Sequence, residues 1–71
     1  MPLTIHLNGS ERTFEELEGE TKIASLIEAL GLRSDRVALE QNGEIVPRTA
    51  WHDTELRQDD RIELVHFVGG G

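Results

Sequence analysis

Only one stretch of this chain repeats with the period of a helix, and everything else must be arranged around it. From Lys22 the apolar residues Ile23, Leu26, Ile27 and Leu30 recur at the i, i+3, i+4, i+7 spacing that lines one side of a helix. Thr21 is placed to cap the first turn by accepting a backbone N–H bond, although Lys22 beside it is unfavourable to the helix dipole. Gly31 suits the left-handed position after the helix, and Leu32 can fold back on Ile27, so the helix stops within about ten residues. A lone amphipathic helix must bury its stripe against a sheet.

The flanking residues supply one. Leu3-Thr4-Ile5-His6-Leu7 alternates strictly, with Leu3, Ile5 and Leu7 on one face. Asn8-Gly9 tolerates the positive φ angles of a tight hairpin turn, and Glu11–Phe14 returns as a second strand. Glu15–Glu20 is acidic, contains Gly19 and lacks a period, and reads as a connecting loop. After the helix, Val37–Gln41 reads as a third strand, Asn42-Gly43 as a second tight turn and Glu44–Val46 as a short strand halted at an edge by Pro47. Arg48–Leu56 has no clear period, which suggests that Trp51 and Leu56 belong to an irregular segment over the core; Trp51 reads as core cover or as a partner contact. Asp59-Asp60 marks the last turn, and Arg61–Val68 is the longest strand-like run. Right-handed crossover favours a last strand parallel to the first. The expected class is α+β: a β-grasp, with a mixed four- or five-stranded sheet wrapped around one helix. Residues 1–68 form that domain, and 69–71 a flexible glycine tail.

Composition narrows the function. Seventy-one residues suit one small domain without a second lobe to close over a substrate. The hydrophobic fraction of 37% and charged fraction of 30% exclude a disordered tail and a membrane protein. No apolar run approaches the roughly 18 residues of a spanning helix, and no signal segment opens the chain, which points to the cytoplasm. Fourteen acids against seven bases, a net charge of −7, would repel a phosphate backbone and argue against nucleic acid. A basic protein surface is the better match. Glu11, Glu15, Glu16, Glu18 and Glu20 concentrate that charge as a solvated face or a docking patch.

Catalytic chemistry finds little support. A substrate pocket typically takes about 300 Å³ or more, and hollowing so small a core would unfold it. With no cysteine there is no disulfide, thiolate metal site or thiol nucleophile. His6, His52 and His66 fall in separate segments without metal-ligand spacing. His6 and His66 become neighbours if the first and last strands pair, which makes a two-histidine site conceivable, and are otherwise ordinary sheet-surface or rim histidines. Ser10 and Ser25 belong to no nucleophile motif, and Asp59-Asp60 is a turn. No cofactor and no metal are expected.

The informative feature is the end of the chain, Val65-His66-Phe67-Val68-Gly69-Gly70-Gly71. Three extended residues without Cβ atoms reach roughly 10 Å, far enough to thread a narrow channel and present a terminal carboxylate to another protein's catalytic groups. A frayed terminus and a cloning scar are the bland readings of the same residues. In the last strand Ile62, Leu64, His66 and Val68 share the inward face, whereas Glu63, Val65 and Phe67 share the outward one. Val65 and Phe67 are thus candidates for an exposed partner-binding patch, unless a bulge or loop buries them.

The HFVGGG ending, the NGEIVP segment followed by Trp51 and the single short helix resemble the ThiS family, the ubiquitin-like sulfur carriers of thiamin thiazole biosynthesis. The glycine ending is shared with ubiquitin and with the small subunit of molybdopterin synthase; the length and the other two segments favour the thiazole branch. The shared pattern needs only Gly70-Gly71, which makes Gly69 a spacer.

The resemblance implies a protein substrate rather than an enzyme. An E1-like adenylyltransferase would convert the Gly71 carboxylate to an acyl-adenylate, with ATP and magnesium belonging to that enzyme. A cysteine desulfurase system would supply sulfur, and thiazole synthase would receive it from a thiocarboxylate on Gly71. Gly69 and Gly70 would give reach, and Val65 and Phe67 would dock partners. The alternatives are another ubiquitin-like carrier or modifier, or a plain interaction domain with an idle tail.

Overall fold

In the computed structural model, which describes residues 1–67, the helical stripe is buried where its spacing requires. Helix α1 spans Ile23–Ala29, with Ile23, Leu26 and Ile27 buried. It ends in a complete Schellman motif: the Gly31 N–H donates to Glu28 O at 3.0 Å and the Leu32 N–H to Ile27 O at 3.2 Å. Gly31 takes φ +71°, as this ending requires. The helix start departs from expectation. Its N-cap is Lys22, without a side-chain cap, and the Thr21 hydroxyl instead donates to Gly19 O at 3.4 Å. Backbone does the capping: Ile23 N–H donates to Thr54 O at 2.9 Å and Ala24 N–H to Trp51 O at 3.0 Å.

The strands are β1 (Pro2–Leu7), β2 (Ser10–Glu18), β3 (Thr21–Lys22), β4 (Val37–Gln41), β5 (Glu44–Ile45), β6 (Glu55–Leu56) and β7 (Arg61–His66). Among the described residues they form a five-stranded sheet in the order β2-β1-β7-β4-β5 and a two-stranded sheet of β3 and β6. β1 runs parallel to β7 and the other pairs are antiparallel. This is a ubiquitin-like β-grasp: a mixed sheet closing over one helix. Asn8-Gly9 and Asn42-Gly43, with positive φ at all four residues, make the two-residue turns whose twist matches antiparallel strands.

Two connections differ from the expected ones. Glu15–Glu18 continues β2 instead of starting a loop; the register jumps from Leu3↔Phe14 to Pro2↔Glu18, so an irregularity absorbs the intervening residues. The strand is a sheet edge on which Phe14 is buried and Leu17 half-buried, so its glutamates meet solvent and mask the strand period. β3 and β6 pair within the aperiodic segments on either side of the helix and carry Thr54 to its N-terminus.

The core joins Leu3, Ile5 and Leu7 of β1 to the helical stripe, Leu39 and Ile62, with Trp51 and Leu56 closing one side. Trp51 is core: it is buried, and its indole N–H donates to Val46 O at 2.9 Å. No helix of the described residues is long and apolar enough to cross a membrane.

Candidate functional site: the sheet face beside the last strand

β7 lies at the middle of the sheet, held by β1 and β4, so the residues it leads into depart from a strand anchored on both sides. Its register against β4 runs from Ile62↔Gln41 to His66↔Val37, and the Phe67 N–H extends the ladder by donating to Arg36 O at 2.7 Å. On the other flank β1 ends at Leu7, where the Asn8 side chain takes over. Asn8 Oδ1 accepts the Leu64 N–H at 2.7 Å, while the Asn8 N–H donates to Ile62 O at 2.9 Å. Sequence reading gave Asn8 only a turn role; its second role depends on a parallel neighbour 56 residues away, which no local pattern shows.

The alternation of β7 separates core from surface. Ile62 is fully buried and Leu64 packs against the core, whereas Val65 is 57% and Phe67 54% exposed. No bulge or loop buries that pair. His66 is exposed, as a rim histidine, although its ladder partner Val37 is buried. Val68, the expected inward neighbour of the tail, and the candidate tail residues Gly69, Gly70 and Gly71 lie outside the described residues.

Register brings further residues to the same face. Val65 stands opposite Ala38, and Glu63 opposite Glu40, which in turn stands opposite Ile45 of β5. Ile45 is 75% exposed. Together they frame a shallow hollow of about 80 Å³ between Ile45 and Val65, floored in part by Ala38. Sequence reading placed Ile45 on an edge strand but did not bring it beside Val65, since β4 lies between them.

Other candidates separate. The parallel pairing sets His6 opposite Arg61, five residues before His66, so the histidines are about 16 Å apart along the sheet and form no pair. Among the described residues no group of three or more His, Cys, Asp or Glu side chains could hold a metal ion. The acidic residues of β2 are exposed; Glu18 meets the N-terminal ammonium at 3.2 Å and Arg12 covers the Phe14 ring at 5.0 Å. A groove of about 290 Å³ between α1 and the Arg48–His52 segment is lined by Glu28, Ser34 and His52 among others, and no hydrogen bond among the described residues joins these three side chains.

Comparison with known proteins gives this face a context. The sequence model of the ThiS family matches residues 5–71. The sulfur carrier protein ThiS of Bacillus subtilis is 37% identical over 67 residues, covering 94% of this chain and 98% of that protein. A thiazole synthase of Magnetococcus marinus is 39% identical over 69 residues, 97% of this chain but 20% of that protein. The chain thus spans about a fifth of the length of the thiazole synthases it matches. The crystal structure of the thiamine biosynthesis protein ThiS from Geobacter metallireducens aligns with a TM-score of 0.80 at 30% identity, covering 97% of this chain and 100% of that one. A family match from β1 to the last glycine, on the same fold, means that this chain belongs to the ThiS family.

Proposed function

We propose that this chain, a non-catalytic sulfur carrier of the ThiS family in thiamin biosynthesis, carries its sulfur as a thiocarboxylate on Gly71. A carboxylate resists direct attack, because its charge repels nucleophiles and oxide is a very poor leaving group. An E1-like adenylyltransferase therefore spends ATP to join AMP to the Gly71 carboxyl group and releases pyrophosphate. The terminal sulfur of a persulfide on a cysteine desulfurase system, direct or relayed, displaces AMP to give an acyl persulfide, and a thiol then reduces its S–S bond, leaving as a disulfide with the carrier of that persulfide. The resulting thiocarboxylate delivers its sulfur to thiazole synthase. The chain has no thiol, so the terminus is the place for that sulfur.

The observation that carries this reading is the family match running through Gly71, next to an apolar face that opens on the same strand. Gly69 and Gly70 supply clearance without side chains, and Val65 and Phe67 contact the enzymes that act on Gly71. Matches to thiazole synthases support thiazole synthase as recipient.

The test is intact-mass analysis after incubation with the cognate adenylyltransferase, ATP, a cysteine desulfurase and cysteine. The expected product gains the mass of one sulfur in place of one oxygen, localised to Gly71. Heavier species joined through lysines of other proteins would identify a modifier instead, and an unchanged mass would refute the carrier reading.

A further inference from the structure

The two Asn-Gly turns clamp the same strand, β7, from opposite sides. In the β1–β2 turn the Asn8 N–H donates to Ile62 O at 2.9 Å, and Asn8 Oδ1 accepts the Leu64 N–H at 2.7 Å. In the β4–β5 turn the Asn42 N–H donates to Arg61 O at 2.7 Å, and Asn42 Oδ1 accepts the Arg61 N–H at 2.9 Å. The side-chain nitrogens break this symmetry. Asn42 Nδ2 donates to the Asp60 carboxylate at 3.0 Å, whereas among the described residues nothing accepts a bond from Asn8 Nδ2. Both asparagines are exposed, and neither the Gly9 nor the Gly43 N–H has an acceptor among the described residues.

An asparagine followed by glycine is open to a reaction of its own. The glycine nitrogen, unhindered by a Cβ, attacks the carbonyl carbon of the asparagine side chain. A C–N bond forms, the bond to the side-chain nitrogen breaks, and that nitrogen leaves as ammonia with the glycine proton. Water then opens the cyclic imide at either carbonyl, giving aspartate or an isoaspartate whose main chain runs through Cβ. Within a turn the side chain must first let go of β7. Asn8 has one side-chain bond to break and Asn42 has two, the second of them to a charged acceptor, which is the stronger kind. We propose that Asn8-Gly9 is a site of spontaneous deamidation in the folded protein, and that Asp60 shields Asn42-Gly43 from the same reaction. The products also differ. An aspartate at position 8 keeps an oxygen for the Leu64 N–H, whereas one at position 42 would set a second carboxylate against Asp60. An isoaspartate at position 8 lengthens the main chain of a tight turn and withdraws the acceptor from Leu64. This chemistry is independent of the carrier reading, because it needs only the turn and water.

The test is peptide mapping by mass spectrometry of the full chain incubated at mildly alkaline pH, with and without urea. Deamidation is read as the mass gained when NH2 is replaced by OH, and isoaspartate by its separate chromatographic elution. Each folded rate is taken relative to that site's own rate in urea, which removes the influence of neighbouring residues. On that scale Asn8 should react about tenfold faster than Asn42, the factor expected for one further bond to a charged acceptor. Asp60→Ala should bring the two sites to similar relative rates, with Asn8 in the same molecules as the control for the variant's lower stability. Asn8→Asp should melt with the wild type and Asn42→Asp below it. In the isoaspartate fraction the Leu64 amide should exchange with solvent faster than in the wild type, while in Asn8→Asp it stays protected. Equal relative rates at the two sites of the folded wild type, a faster Asn42, or an Asn8 that reacts only in urea overturns the proposal. So does an Asp60→Ala variant with an unmoved ratio, which would show that the carboxylate does not shield Asn42.

Discussion

The Asp60 carboxylate accepts hydrogen bonds from three donors. Asn42 Nδ2 donates to one oxygen at 3.0 Å; Gln41 Nε2 at 3.0 Å and the Arg57 N–H at 2.9 Å donate to the other. One side chain thus fastens the β4–β5 turn to the loop that launches β7, and Asn42 completes the junction by accepting the Arg61 N–H at 2.9 Å. Asp60→Ala should cost about 1–3 kcal/mol, because it orphans donors in a half-buried site. Thermal denaturation would show this as a fall in Tm of about 5–15 °C, with Asp60→Asn intermediate. Asp35 makes a pH-dependent contribution. Desolvation pushes its carboxyl group upward, but hydrogen bonds from the Arg33 guanidinium at 3.2 and 3.0 Å, with the charges of Arg33 and Arg36, hold it below its ordinary value of 3.8. A carboxylate lowered by folding stabilises the fold above its unfolded pKa, and loses that contribution as pH falls through the folded value. NMR titration of Arg33→Ala should move the Asp35 midpoint upward, toward the ordinary value; an unmoved midpoint would show that the guanidinium does not set it.

At the scale of elements, the two ends of α1 show what sequence can and cannot reveal. The C-terminal end was legible because Gly31 and Leu32 form a local signal, and the Schellman bonds follow from it. A Cβ at Gly31 would meet no atom within 4 Å, so Gly31→Ala strains only the backbone at φ +71°. The expected loss is about 1 kcal/mol in urea unfolding, with an unchanged m-value. A loss several times larger would indicate a packing role that the open space does not provide. The N-terminal end was not legible, because its caps are the carbonyls of Trp51 and Thr54, delivered by two strands of two residues each. Strands that short show no alternation, and Thr21 carried a cap's chemistry without a cap's position. β2 was cut short for a related reason: one of its faces is solvent and a register jump interrupts its pattern, so glutamates past Phe14 read as a loop.

For the molecule as a whole, the fold was legible because one helix and two Asn-Gly turns leave few ways to bury the apolar faces. Parallel β1–β7 pairing follows from crossover handedness, and the exposure of Val65 and Phe67 from the parity of one strand. The joining of Val65 to Ala38, Ile45 and the Glu40–Glu63 pair was not legible, since it depends on the registers of three strands at once. The same layout separates stability from the proposed chemistry. Among the described residues the buried apolar side chains run from Leu3 to Ile62, and a glycine has no side chain to add to them. Deleting Gly70 and Gly71 should therefore leave the urea midpoint within experimental error of the wild type. The single tryptophan is a suitable reporter, because Trp51 is buried and bonded to Val46 O only while the domain is folded. The same deletion should abolish adenylation and sulfur loading, since it draws the terminal carboxyl group back to Gly69, two residues short of where both proposed steps would act. A truncated chain that loads sulfur normally would displace the reaction from Gly71. One that unfolds would make the glycines part of the scaffold, and the division between a self-sufficient body and a chemically active terminus would fail.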